Sequence, residues 1–141
     1  MERNRAMIAI VCIDEDNGIL FHQRRVSRDR ILNQWIMDVT GGRKLWMRAY
    51  SKELFGDAGN IVVCEDYLEQ AGAGAYCFVE DGSLVFYVDK VESLLVCRWN
   101  RRYPSDVKLP GALEAEFTVR SIVAEFAGSS HDKITVEEWK R

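Results

Sequence analysis

Seven consecutive apolar residues, Met7-Ile8-Ala9-Ile10-Val11-Cys12-Ile13, lead without a polar interruption into Asp14-Glu15-Asp16. An alternating pattern would mark a strand with one wet face, whereas an unbroken run rich in β-branched residues suits a central strand covered on both faces. The whole apolar run, Ala6 to Ile13, is far shorter than the ~20 residues of a membrane-spanning helix. Arg3 and Arg5 precede it as in a secretory leader, but its β-branched content and the acidic turn after it, with no small-residue cleavage site, predict a first buried strand instead.

The rest of the composition is compatible with one domain built around such a strand. Of 141 residues, 48% are hydrophobic and 29% charged, enough to bury a core without metals or disulfides. Nineteen Lys and Arg against 22 Asp and Glu give a net charge of −3, which argues against a general nucleic-acid binder and for a small-molecule or protein partner. Cys12, Cys64, Cys77 and Cys97 show no C-x-x-C spacing and mostly sit in apolar runs, where thiols pack as small hydrophobes. With His22 and His131 as the only histidines, no metal-ligand pattern emerges, and a reducing, cytoplasmic location is expected.

Further along, Asp14 to Gly18 reads as a turn and Ile19 to Val26 as a polar loop, a place where function is often carried. Ser27 can cap a helix whose apolar stripe is Ile31, Leu32, Trp35 and Ile36 and which Gly41-Gly42 ends. Leu45 to Met47 is a short strand, Arg48 to Phe55 about two turns of helix ended by Gly56, and Ile61 to Cys64 the next strand. Asp66 to Gln70 is a short helical piece, and Tyr76 to Val79, Leu84 to Val88 and Leu94 to Trp99 are strand-like, although its surroundings could force Leu84 to Val88 into a helix. Arg101 to Gly111 reads as a long loop. Alternation through Phe117, Val119 and Ser121, and again at Ile134 and Val136, predicts an antiparallel hairpin. The sum is an α/β fold, a mainly parallel sheet flanked by helices with a C-terminal antiparallel hairpin.

In order and spacing, several segments resemble dihydrofolate reductase. They are Ile8 to Ile13 as first strand, Asp14-Glu15-Asp16-Asn17-Gly18-Ile19 as its turn, Ser27-Arg28-Asp29 opening a helix, Lys44 to Phe55 as strand, turn and short helix, and Asn60 to Val63 as the next strand. Lys90 to Arg98 and Ser105 to Pro110 are similar to that family's late strand and the loop before its hairpin. The resemblance implies reduction of dihydrofolate or a related pterin by NADPH. Asp29 would be the carboxylate that binds the pterin edge and helps deliver a proton, its pKa raised by burial. The implied pocket is lined by Ile8, Ala9, Ile10, Asn33, Ile36 and Cys97, the last standing where the family has a threonine beside the carboxylate. Gly18, Ile19, Arg48, Ala49 and Gly82 would face the cofactor.

The chain also departs from that pattern. The family's Leu-Pro-Trp lid is replaced by Phe21-His22-Gln23-Arg24-Arg25-Val26, so an aromatic segment becomes cationic. Glu80-Asp81 stands ahead of Gly82 where a glycine pair admits the pyrophosphate, and Glu65-Asp66 where basic residues hold a 2′-phosphate; carboxylates there repel a phosphate. The stretch from about 65 to 83 is short for the adenosine-binding half, which reads as truncated within a single domain over 1–141. Asp57-Ala58-Gly59 lacks the arginine that pairs with the glutamate tail of folate. Arg24, Arg25, Arg28 and Arg30 cluster at the mouth of the implied pocket and could hold an anionic ligand. Two functions follow: a divergent reductase with Asp29 as proton donor or relay, or a non-catalytic relative that has lost NADPH and binds a pterin-like or anionic ligand or a protein partner.

Overall fold

The computed structural model describes residues 7–141, so Arg3 and Arg5 lie outside the described residues. In chain order the elements are β1 (Met7–Ile13), β2 (Gly18–Phe21), β3 (Arg24–Arg25), α1 (Arg30–Thr40), β4 (Leu45–Met47), α2 (Ala49–Lys52), β5 (Ile61–Val63), α3 (Tyr67–Gln70) and β6 (Tyr76–Phe78). Then follow β7 (Val91–Arg98), β8 (Val107–Lys108), α4 (Gly111–Glu116), β9 (Val119–Phe126) and β10 (Ile134–Lys140). A seven-stranded sheet runs β5-β4-β6-β1-β7-β10-β9, and a small one runs β3-β2-β8. β1 pairs in parallel with β6 and β7, and β4 in parallel with β5 and β6. β10 is antiparallel to both β7 and β9, closing the sheet with the expected hairpin.

β1 is central, as its unbroken apolar run requires. Met7, Ala9, Val11 and Ile13 join a core with Tyr67 and Leu68 of α3 and with Leu113 and Phe117 at α4. Ile10 joins a second core with Leu32 and Ile36 of α1 and with Leu45, Met47 and Phe78. Period-two alternation thus sends successive β1 side chains into different helical layers. Cys77 and Cys97 are buried, all four thiols are free, and burial pushes the Cys77 thiol up to about 12. No helix of the described residues is long and apolar enough to cross a membrane.

Four local expectations are corrected. The segment read as a loop after β1 is a hairpin, because His22 and Gln23 take positive φ (51° and 66°) in the two-residue turn between β2 and β3. That hairpin is held by β8, which lies within the stretch read as a long loop. Leu84 to Val88 is not a strand but part of two 3-10 turns, Ser83–Phe86 and Val88–Lys90, with only Leu84 buried and Phe86 exposed. Its β-propensity finds no neighbouring strand to pair with. The helix α1 is capped by Asp29, not Ser27, and buries Leu32, Ile36 and Thr40 while Ile31 stays 40% exposed.

Candidate functional site

Two polar clusters lie where chain segments distant in sequence meet. The first lies beyond the C-terminal ends of β4 and β6, the edge at which open α/β sheets bind ligands. Arg25, at the end of the β2–β3 hairpin, points into it. Its Nε and Nη2 donate to Glu80 at 2.8 and 3.0 Å, Nη1 to Glu53, and Nη2 also to the Tyr50 carbonyl. The guanidinium lies over the Tyr50 ring at 4.2 Å, and Ser51 Oγ donates to Glu80 at 2.7 Å. Burial by itself would loosen Arg25's proton, but Glu80 and Glu53 outweigh it and hold the group more firmly protonated. Side-chain exposures of 10% and 8% make Arg25–Glu80 a buried, bidentate pair.

The same edge carries further carboxylates set against cationic or donor groups. Arg48, ahead of α2, has its Nε 3.6 Å from Asp81 and no hydrogen bond on that atom. The amide of Ala49, the first residue of α2, donates to Glu65 at 3.4 Å. Gly18 makes no open cradle, since a Cβ there would lie 2.5 Å from Ser105 Oγ, and Ile19 is buried. Gly82 has ordinary space, its nearest neighbour Val107 at 3.8 Å, and precedes a 3-10 turn. Of the residues expected to face a dinucleotide, the two that could meet its phosphates, Arg48 and the Ala49 amide, each face a carboxylate of the chain, and the set does not fit one.

The second cluster is built on Asp29. It is 1% exposed and accepts at Oδ1 from the amides of Ile31, Leu32 and Ser129, and at Oδ2 from the Ser130 amide and His131 Nδ1, both at 2.8 Å. The β9–β10 turn is wrapped so closely around it that a Cβ at Gly128 would lie within 2.3 Å of Oδ2. Burial alone would raise this carboxyl, as expected from sequence. The hydrogen bonds from His131, Ser130, Ser129 and Leu32 outweigh burial and hold it well below the usual carboxylate range, which corrects that expectation.

An ionised Asp29 can only accept, so His131 Nδ1 carries the proton toward it. Nε2 then faces two hydroxyls, Ser27 Oγ at 2.9 Å and Tyr103 Oη at 3.0 Å, themselves 3.2 Å apart. Trp99 stacks on the imidazole, ring centres 4.6 Å apart, and fixes its plane. Sequence reasoning missed His131, Tyr103, Ser129 and Ser130, since Asp29 and His131 lie 102 residues apart in a chain with no repeated spacing to join them.

The residues of the implied pocket separate. Ala9, Ile10 and Ile36 are core, with Ala9 on the opposite face of the sheet from the other two. Ile8 edges a shallow depression with Trp35, Val39 and Leu95. Cys97 pairs in register with Cys12, whose thiol is pushed up first by contact with Cys97 and then by burial. The partner at Asp29's side is His131. Arg24 is exposed on β3, away from the buried set that holds Arg25. Arg28 and Asn33 do come together, with Arg30, Met37, Leu54 and Phe55, around an open depression of about 270 Å³ beside α1. No group of metal-ligating side chains occurs among the described residues.

No protein-family model matches the chain, and no curated protein matches it. Among solved structures it is similar to the dihydrofolate reductase from Enterococcus faecalis complexed with NADP(H) and RAB-propyl. The TM-score is 0.62 at 15% identity, covering 98% of this chain and 97% of that one. The chain therefore has a dihydrofolate reductase-like fold, a mixed and mostly parallel sheet with antiparallel C-terminal strands.

Proposed function

We propose that this chain is a dihydrofolate reductase-like protein that has given up nicotinamide-dependent reduction and binds a small anionic ligand beside α1. The observation that carries this reading is the pairing of the sheet's ligand edge with the chain's own carboxylates: Arg25 with Glu80, Arg48 with Asp81 and the Ala49 amide with Glu65. A pyrophosphate entering there would have to displace a buried ion pair and lie against three acidic groups, at a cost of several kcal/mol per uncovered charge. The short stretch over about 65–83 is consistent with a truncated cofactor-binding half of a single domain. Asp29 is in turn saturated by hydrogen bonds, leaving its carboxylate no free edge for a pterin. Arg28 and Arg30, exposed at the rim of the depression, supply the cationic end of the ligand site, and Met37, Leu54 and Phe55 its apolar wall.

The second reading, a divergent reductase acting on dihydrofolate or a related pterin with NADPH, is favoured by the whole-chain likeness to a reductase complexed with NADP(H). Titrating the protein with NADPH and NADH while following tryptophan fluorescence separates the two. The first reading expects no saturable quenching at millimolar nucleotide. Saturation in the micromolar range, about −8 kcal/mol, refutes it and restores the reductase.

A further inference from the structure

We infer that Ser27, His131 and Asp29 form a charge-relay site for hydrolysis of small carboxylic esters bearing an anionic acyl chain. The geometry has the order such chemistry needs: a hydroxyl 2.9 Å from one imidazole nitrogen and a carboxylate 2.8 Å from the other. Asp29, held ionised by four backbone amides, is a positioning residue that fixes the tautomer leaving Nε2 as the proton acceptor. His131 is buried and clamped by Trp99, so its ring cannot turn away. Ser27 is the member that keeps contact with solvent, at the segment leading into α1, and the depression rimmed by Arg28 begins at the next residue.

The step balances without a further reactant than water. Ser27 Oγ bonds to the acyl carbon as its proton passes to His131 Nε2. The carbon–oxygen bond to the alcohol breaks, and the alcohol oxygen leaves with that proton. Water then attacks the acyl-serine by the same route, releasing the carboxylic acid and restoring the Ser27 hydroxyl. Tyr103 competes with Ser27 for the Nε2 lone pair and in the resting protein restrains the nucleophile. The anionic acyl chain follows from Arg28 and Arg30 at the rim, with Leu54 and Phe55 below. This part of the inference rests on the ligand site proposed above; the serine chemistry does not.

The test treats the whole 141-residue chain with a neutral alkyl fluorophosphonate and reads intact mass, with thermal melting to confirm that each variant is folded. One adduct is expected on the wild type, none on Ser27→Ala, and faster labelling of Tyr103→Phe, in which Ser27 has Nε2 to itself. No adduct on the folded wild type, or an adduct that persists in Ser27→Ala, overturns the proposal. Hydrolysis of a succinate monoester and of the neutral butyrate ester is then compared. Arg28→Gln should raise KM about tenfold for the first and by a much smaller factor for the second. Labelling of Ser27 with no such discrimination retains the serine chemistry and refutes the anionic ligand site.

Discussion

Replacing Asp29 by asparagine separates its two oxygens. An asparagine that keeps its carbonyl in the place of Oδ1 still caps α1 through Ile31 and Leu32 and still accepts from Ser129. Its amide nitrogen then stands where Oδ2 accepts from the Ser130 amide and His131 Nδ1. Donor meets donor at both. His131 can answer by moving its proton to Nε2, but the Ser130 amide cannot, and each buried donor left unpaired costs ~1–3 kcal/mol. Asp29→Asn should therefore lose about 2–5 kcal/mol, and Asp29→Ala about 1 kcal/mol more for the cap. Urea unfolding followed by tryptophan fluorescence measures this, with Trp99 against His131 as a local reporter. The pH dependence has a definite sign. The folded pKa is lowered, so the charge's contribution is complete above the unfolded value near ~3.9 and is lost as pH falls below it. The difference between wild type and Asp29→Asn should shrink as the pH falls below about pH 4. An asparagine variant within ~0.5 kcal/mol of wild type at pH 7 would refute the view of Asp29 as the post around which the β9–β10 turn is fastened.

Two further sites, the Arg25–Glu80 pair and Gly18, can be probed in the same way. Arg25→Met or Glu80→Gln alone should cost about 3–5 kcal/mol in urea unfolding, because each strands a buried charge or acceptor; Arg25→Met with Glu80→Leu should recover most of it. Gly18→Ala should lower stability by ~1–3 kcal/mol in the same assay, since its Cβ would lie 2.5 and 2.6 Å from Ser105 Oγ and Cβ. Adding Ser105→Gly should return only part of that, because Asp14 Oδ1 stays 2.9 Å away.

Much of the architecture is legible in the residues, for reasons that are local. β1 declares itself by an unbroken apolar run, and α1 by its apolar spacing and the glycines that follow it. The elements that escape reading are those whose conformation is imposed from outside. The His22-Gln23 turn carries no Asn-Gly signal yet takes positive φ at both residues because β8 holds β2 in place. Leu84 to Val88 has strand-like composition but no edge to join. Only one of its residues is buried, so the chain coils into 3-10 turns to place Leu84.

The candidate site divides along the same line. Charge is written in the sequence, and Glu65, Glu80 and Asp81 can be recognised from it as hostile to a phosphate. Their partners cannot, because pairing is decided by which loops the fold brings together. Arg25 reads as one of four arginines free to receive an anion, yet it meets Glu80 55 residues away and is spent on it. Arg24, Arg28 and Arg30, identical in type, remain exposed. Asp29 illustrates the converse. Burial alone predicts a raised pKa, and the sign reverses once four amides and an imidazole converge on it, a number that no local window of sequence contains. Hydrogen bonds that favour the ionised form make Asp29 a poor proton donor near neutral pH. It is well suited to remaining an anion beside a histidine, so the same residue that weakens the reductase reading is the one that gives His131 its orientation toward Ser27.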